Sequence, residues 1–238
     1  MTQKEKNHSW KNIWEKKGEK GINSIGLLDL IAMDGFDTNA GKFSVDRWLS
    51  FVHEIRERLN IKNKLLEVGC GCGAFLYPLT NFDIEIYGID YSENLVKICS
   101  EAIPSGVFKT AEANQIPFKD QFFDSIISHG VFIYFESLDY AQEVLSEMVR
   151  MLKNTGNITI LDINDADKKQ ECETIKREKL GDDEYERLYG NLNHQFYPKK
   201  WFEEIATHFG LQCEIQDQNI QGYENSKFRY NVFLSYPK

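Results

Sequence analysis

The sequence predicts a doubly wound α/β fold, a mostly parallel sheet with helices on both faces. Between about residues 64 and 164, short apolar strands alternate with helical stretches, the pattern that buries both faces of a parallel sheet. The first of these strands, Leu65-Leu66-Glu67-Val68, runs straight into the glycine-rich turn Gly69-Cys70-Gly71-Cys72-Gly73. At 238 residues and 42% apolar composition, the chain supplies one substantial core and is short for two.

Residues 1–63 read as an N-terminal helical cap or lid. Trp10, Ile13 and Trp14 form a small apolar cluster ahead of a loop over 35–41. From Ser44, a candidate N-cap, the residues Val45, Trp48, Leu49, Val52, Ile55 and Leu59 recur at helical spacing and predict an amphipathic helix. The Trp10 cluster fits either a lid that excludes water or a helix packed on the sheet edge.

Residues 64–238 read as the core. Strands are expected over 64–68, 84–89, 107–110, 125–128 and 157–162, with helices over 74–80, 93–102 and 139–152. A charged helical segment over 166–189, a loop carrying His194, a helix over 199–209 and two terminal strands bring the strand count to seven. Ligands of open α/β sheets bind beyond the strands' C-terminal ends, so the span of about 165–197 reads as a helical insertion beside a substrate. Gly210 stands where a helix end needs a left-handed residue.

Lys+Arg 28 against Asp+Glu 37 gives a net charge of -9. Nucleic-acid binders carry a basic surplus or stripe, so no nucleic-acid partner is expected. The run Lys16, Lys17, Lys20 is interleaved with Glu15 and Glu19, as on a solvated helix face. Met1 to Asn7 lacks an apolar leader core, and no apolar run approaches the ~20 residues of a membrane helix. Five cysteines without framework spacing fit a reducing compartment, so a cytoplasmic protein with no membrane partner is expected. Cys70 and Cys72 form one C-x-C pair, short of the four ligands of a structural zinc site, and no metal is expected.

The glycine-rich turn carries the strongest chemical signal. Glycines let the backbone turn sharply and approach a ligand, and the helix start beyond presents unpaired N–H groups. The next strand ends Tyr87-Gly88-Ile89-Asp90, which places a carboxylate about 20 residues on, where both ribose hydroxyls of an adenosine-type ligand can donate to it. The same Asp90 also fits as a helix N-terminal carboxylate preceding the Ser92 cap.

On these residues the chain resembles the class I S-adenosylmethionine-dependent methyltransferases from about residue 64 to 164. Glu67-Val68-Gly69-Cys70-Gly71-Cys72-Gly73 matches the family's acid-x-G-x-G-x-G pattern, and Glu112-Ala113-Asn114-Gln115-Ile116-Pro117-Phe118 its acid-Ala-x-x-hydrophobe-Pro-Phe segment. Met151-Leu152-Lys153-Asn154-Thr155-Gly156 is similar to its Leu-Lys-Pro-Gly-Gly turn, with Asn154 and Thr155 departing.

The resemblance implies a Rossmann-like sheet with the last strand antiparallel and S-adenosyl-L-methionine as cofactor, leaving S-adenosyl-L-homocysteine as product. It implies that Gly69, Gly71 and Gly73 pass the methionine moiety while Glu67 orders their loop. Asp90 would hold the ribose, Tyr91 would pack near the adenine, Glu112 would accept from its amino group, the Ala113 N–H would bond the ring, and His129 would line the methionine end.

The expected reaction is methyl transfer to a hydroxyl or amine of a small-molecule acceptor. An amine needs only to be unprotonated, whereas an alcohol gains from a base of suitable pKa, which singles out His194 and His129. Asp162, at the end of the fifth strand with Asn164 beyond it, is the third candidate on the acceptor side. The tail from the His194 loop through Arg229 resembles methyltransferases of bacterial surface-sugar assembly. Two other readings stay open: a nicotinamide-dependent reductase, against which the absent G-x-G-x-x-G spacing counts, and a non-catalytic module that binds the same cofactor.

Overall fold

The computed structural model describes residues 9–21, 25–36, 44–59, 61, 63–190, 192 and 194–237. Most of the expected loop over 35–41 lies outside them. Seven strands, β1 (Asn63–Val68), β2 (Ile84–Asp90), β3 (Val107–Thr110), β4 (Phe123–His129), β5 (Leu152–Asn164), β6 (Gln212–Asp217) and β7 (Arg229–Ser235), form one sheet in the order β3-β2-β1-β4-β5-β7-β6. Strands β1 to β5 pair in parallel, and β7 runs antiparallel to both β5 and β6. The strand order reverses at β1, between β2 and β4, which opens a crevice beyond the strand ends there.

The central strands bury both faces. Leu65 and Ile127 pack with Leu30, Trp48, Val52 and Leu95 in one layer. Their chain neighbours Leu66 and Ile126 pack with Val144, Met148 and Phe202 in the other, as the two-residue alternation of a strand dictates. The first layer is built from α1 (Trp10–Glu19), α2 (Leu27–Met33), α3 (Val45–Leu59) and α4 (Glu93–Ala102). The second is built from α5 (Leu138–Met151) and α8 (Lys199–His208), while α6 (Lys169–Leu180) and α7 (Asp182–Tyr189) lie in the insertion between β5 and α8. Ser44 accepts the Arg47 N–H at 3.3 Å and caps α3 as expected, and Gly210 ends α8 with φ +68°.

The expected helix over 74–80 does not form. After the glycine turn the chain passes through irregular turns into a short 3-10 helix, Tyr77–Asn81. Pro78 has no N–H to offer the Ala74 carbonyl four residues earlier, and the Trp48 indole donates to that carbonyl instead, at 2.8 Å. An α3 side chain therefore replaces a missing rung of helix beside the loop. The charged segment over 166–189 is also broken, at Gly181 with φ +78°. Among the described residues, no helix is long and apolar enough to cross a membrane.

Candidate active site

One cavity of about 1400 Å³ opens at the C-terminal ends of β1, β2, β4 and β5, larger than the ~300–1,000 Å³ of a cleft for a single small ligand. The glycine loop forms one wall. Gly69 (φ +77°), Gly71 (φ +51°) and Gly73 (φ +93°) all occupy the left-handed region, and a Cβ on Gly71 would lie 2.3 Å from the Asp34 carboxylate. The loop is held from both sides. The Gly69 and Cys70 N–H groups donate to the Ile89 carbonyl at 2.8 Å each. The Gly71 N–H donates to Asp90 Oδ2 at 3.0 Å, and the Cys72 and Ala74 N–H groups donate to the two Asp34 oxygens at 2.9 and 3.1 Å.

Asp34, Glu67 and Asp90 make this end of the cavity strongly acidic. Burial raises the Asp34 carboxyl, pushes Asp90 up to about 6, and raises Glu67 well above the carboxylate range, with Asp34 and Asp90 adding repulsion. Glu67 is buried and its Oε2 has no hydrogen-bond partner among the described residues. No lysine or arginine pairs with Glu67 or Asp90 among the described residues. Buried carboxylates so arranged favour a cationic ligand. Asp90 Oδ1 also accepts the Ser92 N–H at 2.9 Å, and Ser92 Oγ accepts the Leu95 N–H at 3.4 Å, so Asp90 stands at the start of α4 as well as over the cavity.

Beyond Asp90 the wall continues through Tyr91, Glu112 and Ala113. The start of α1 closes over it. Lys11 pairs with Glu112 and sits 5.3 Å from the Tyr91 ring centre, and the Tyr91 hydroxyl donates to the Trp10 carbonyl at 3.4 Å. At the other end of α1, a Cβ on Gly18 would fall 2.9 Å from the Asn94 Cβ, so the helix lies close on α4. Trp10 stacks toward Tyr134 at 4.8 Å and His194 at 4.5 Å, joining the two ends of the cavity.

The second end is built by β5, β7 and the insertion. His129 lies in an aromatic cage, stacked on Phe36 at 4.9 Å and flanked by Phe51 and Trp48 at 5.3 and 5.6 Å; burial lowers its pKa to about 4. The loop bearing His194 is pinned where Asn164 Nδ2 donates to the Gln195 carbonyl at 2.9 Å and the Gln195 N–H donates to the Ile133 carbonyl at 2.8 Å. Burial, then the nearby Lys176 and Arg229 charges, hold His194 well below its ordinary pKa, so it is neutral.

Asp162 sits in a bulge of β5 with φ +63°. Its Oδ2 accepts the Tyr223 hydroxyl at 3.0 Å and faces Arg229 Nη1 at 3.6 Å, whereas Oδ1 is buried without a partner among the described residues.

Residues 66–160 match the family model described as a methyltransferase domain. A demethylmenaquinone methyltransferase from Thermotoga maritima is 31% identical over 144 residues, spanning 56% of this chain and 61% of that protein. The tRNA (carboxymethyluridine(34)-5-O)-methyltransferase alkbh8 of Xenopus tropicalis is 29% identical over 150 residues, 60% of this chain and 23% of that protein. The chain thus spans less than two thirds of the length of either relative. Residues 66–160 of this chain carry a methyltransferase domain. A solved S-adenosylmethionine-dependent methyltransferase from Clostridium acetobutylicum shares its fold, with TM-score 0.63 at 12% identity over 87% of this chain and 98% of the other.

S-adenosylmethionine, the methyl donor of this family, suits the first end of the cavity. It carries an ammonium and a sulfonium, which answer the acidic cluster of Asp34, Glu67 and Asp90, and the glycine loop leaves room that any Cβ would fill. Every residue expected from the sequence to hold the cofactor lines the methyltransferase domain's cavity except Gly73, which faces Cys99, a Cβ there falling 2.8 Å from its sulfur. Glu67 forms no hydrogen bond to the loop among the described residues; Asp34 and Asp90 order it instead, because their carboxylates reach its N–H groups. His194, His129 and Asp162 line the same cavity, but Asn164 does not, being committed to the 194–197 loop. Asp34, Trp48, Tyr134, Lys176 and Gln218 went unread in the sequence as site residues, since each reaches the cavity through contacts that no local motif marks.

Proposed function

We propose that the chain transfers a methyl group from S-adenosylmethionine to a hydroxyl or amine of a small molecule. The observation that supports this reading is a single cavity with two unlike ends: an acidic glycine-loop end suited to the donor, and an end around His194, Asp162 and Arg229 suited to a second molecule. When bound, the cofactor supplies a sulfonium-activated methyl group, so the chain's work is to place an acceptor lone pair in line with it and keep water out.

Asp90 would accept from the ribose hydroxyls and Glu112 from the adenine amino group, with Lys11 displaced or shared. The first turn of α1, with Trp10 over His194 and the Trp10 carbonyl bound by Tyr91, would serve as the lid. His194, neutral, can take a hydrogen bond or proton from the acceptor, with its basicity reduced by Lys176 and Arg229. The same cations favour the deprotonated form of an acceptor hydroxyl or amine. Asp162 Oδ1 is a free acceptor that can fix the acceptor's N–H or O–H. The concave cavity and the net charge of -9 support a small molecule over a nucleic acid.

Calorimetry should find one S-adenosylmethionine or S-adenosylhomocysteine per chain. Incubation with methyl-labelled cofactor and a panel of small hydroxyl and amine acceptors, sugars included, should then label one class. A folded protein that binds NADH and not S-adenosylmethionine would reverse the assignment.

A further inference from the structure

The second end of the cavity holds more positive charge than it neutralises. On α6, Lys169 pairs with Glu173, Arg177 with Asp182 and Glu186, and Lys179 with Glu224. Lys176, on the same helix but turned into the cavity, has no carboxylate within ion-pair distance among the described residues; it is half-buried and lies 5.5 Å from the Tyr189 ring centre. Facing the same space is Arg229, 5% exposed. Of its five N–H donors, Nη1 alone is hydrogen-bonded among the described residues, to the Asp162 carbonyl at 3.0 Å, with the Asp162 carboxylate at 3.6 Å.

Asp162 offsets one of the two cations. Beside them Gln218, 7% exposed, lines the cavity with neither its amide oxygen nor its amide nitrogen bonded among the described residues. A half-buried ammonium, a guanidinium with donors in reserve and an unsatisfied amide form a site for an anion. Burial lowers the Lys176 pKa and outweighs the Cys172 thiol and Glu173, which raise it, with Arg229 adding to the lowering; a bound negative charge would reverse that direction.

We infer that the methyl acceptor carries a negatively charged group, phosphate or carboxylate, held between Lys176 and Arg229 with Gln218 donating to it. This rests on the methyltransferase reading above. The anion would anchor the acceptor at one end, leaving its nucleophilic atom near Asp162 Oδ1 and His194. Lys176 would then be a specificity-determining residue that binds the acceptor's charge.

The protein saturated with S-adenosylhomocysteine is titrated, at constant ionic strength, with inorganic phosphate, with malonate and with uncharged malonamide. Phosphate or malonate should bind and malonamide should not, the preferred anion telling a phosphorylated acceptor from a carboxylated one. Lys176→Gln should weaken that anion at least tenfold with S-adenosylhomocysteine affinity unchanged, while Lys169→Gln, outside this cavity, should leave both alone. Absence of anion binding, or equal binding by wild type and Lys176→Gln, which marks an adventitious ion only, overturns the inference. Loss of S-adenosylhomocysteine binding by the wild type overturns the methyltransferase reading instead.

Discussion

Asp34 holds Cys72 across 38 positions of sequence, its Oδ1 accepting the Cys72 N–H at 2.9 Å while Oδ2 takes the Ala74 N–H at 3.1 Å. The residue closing α2 thus supplies what a side-chain cap supplies at a helix start, to a loop that no regular helix follows. Asp34→Ala leaves two amides without partners and is expected to cost about 2–4 kcal/mol of stability and cofactor affinity together. Denaturant unfolding of the free protein and calorimetry of S-adenosylhomocysteine would check this; an unaltered Kd would show that the loop orders itself.

Asp90 joins the loop to the ligand space through the Gly71 N–H at 3.0 Å. Asp90→Ala should reduce cofactor affinity by ~2 kcal/mol or more through lost charge-assisted bonds. Calorimetric binding at wild-type strength would defeat its assignment to the ribose.

The acidic cluster gives binding a pH signature. Asp90, raised by burial to about 6, is largely protonated below that pH, and burial raises Glu67 well above the ordinary carboxylate range. A sulfonium is stabilised by the ionised forms, so S-adenosylmethionine should gain affinity relative to S-adenosylhomocysteine as pH rises from 5 to 7.5, taking proton release with it. Titrations in buffers of unlike ionisation enthalpy measure both; a constant affinity ratio would mean the cluster does not sense the methyl group.

His129 contributes to stability with the opposite sign to those carboxylates. Its folded pKa of about 4 lies below the ordinary 6.5, so the unfolded chain binds more protons between these values and folding is favoured as pH rises through that window. His129→Gln should remove this contribution, at most ~1.4 kcal/mol per pH unit, so that its stability relative to wild type improves toward pH 4. Urea unfolding at pH 4.5, 5.5 and 7 would show it, and parallel pH profiles for the two proteins would exclude it.

His194→Ala should lower kcat strongly and leave S-adenosylhomocysteine affinity unchanged, since His194 stacks on Trp10 and Tyr134 at the acceptor end. Equal loss of both would point to a collapsed loop over 194–197.

What the sequence made legible follows from the range of the interactions involved. Glu67, Asp90 and Glu112 could be placed because each stands at or just beyond a strand end, and strand, turn and acid are neighbours in the chain. Helix α4 was predicted over its full extent because Ser92 and the apolar spacing after it act within one turn. The helix after the glycine loop was misjudged although Pro78 was in view, since the donor that replaces its missing N–H is Trp48, 26 positions from Ala74. Lys176 is one more charge in the expected charged segment over 166–189; it lines the cavity where Lys169 does not and, unlike Lys179, has no ion pair among the described residues. Asn164 was expected at the crevice beside Asp162; the bulge between Ile160 and Ile163 takes Asp162 out of the strand's alternation, while Asn164 pairs regularly beyond it, opposite Arg229.

That bulge reaches beyond the two residues. Ile160 pairs with Val232 and Ile163 with Tyr230, three steps on β5 against two on β7, so Ile158, Ile160 and Ile163 all enter the same layer despite unequal spacing. One surplus residue inverts the parity of everything downstream: Asp162 is released from pleat geometry while the exit from β5 keeps its packing. Removing one position there would restore the regular two-residue alternation, keep Ile163 opposite Tyr230 and abolish the bulge that holds Asp162. The acceptor wall and the donor wall are therefore open to change by different means, one by an insertion in a single strand and the other only by rebuilding a loop tied to three segments at once.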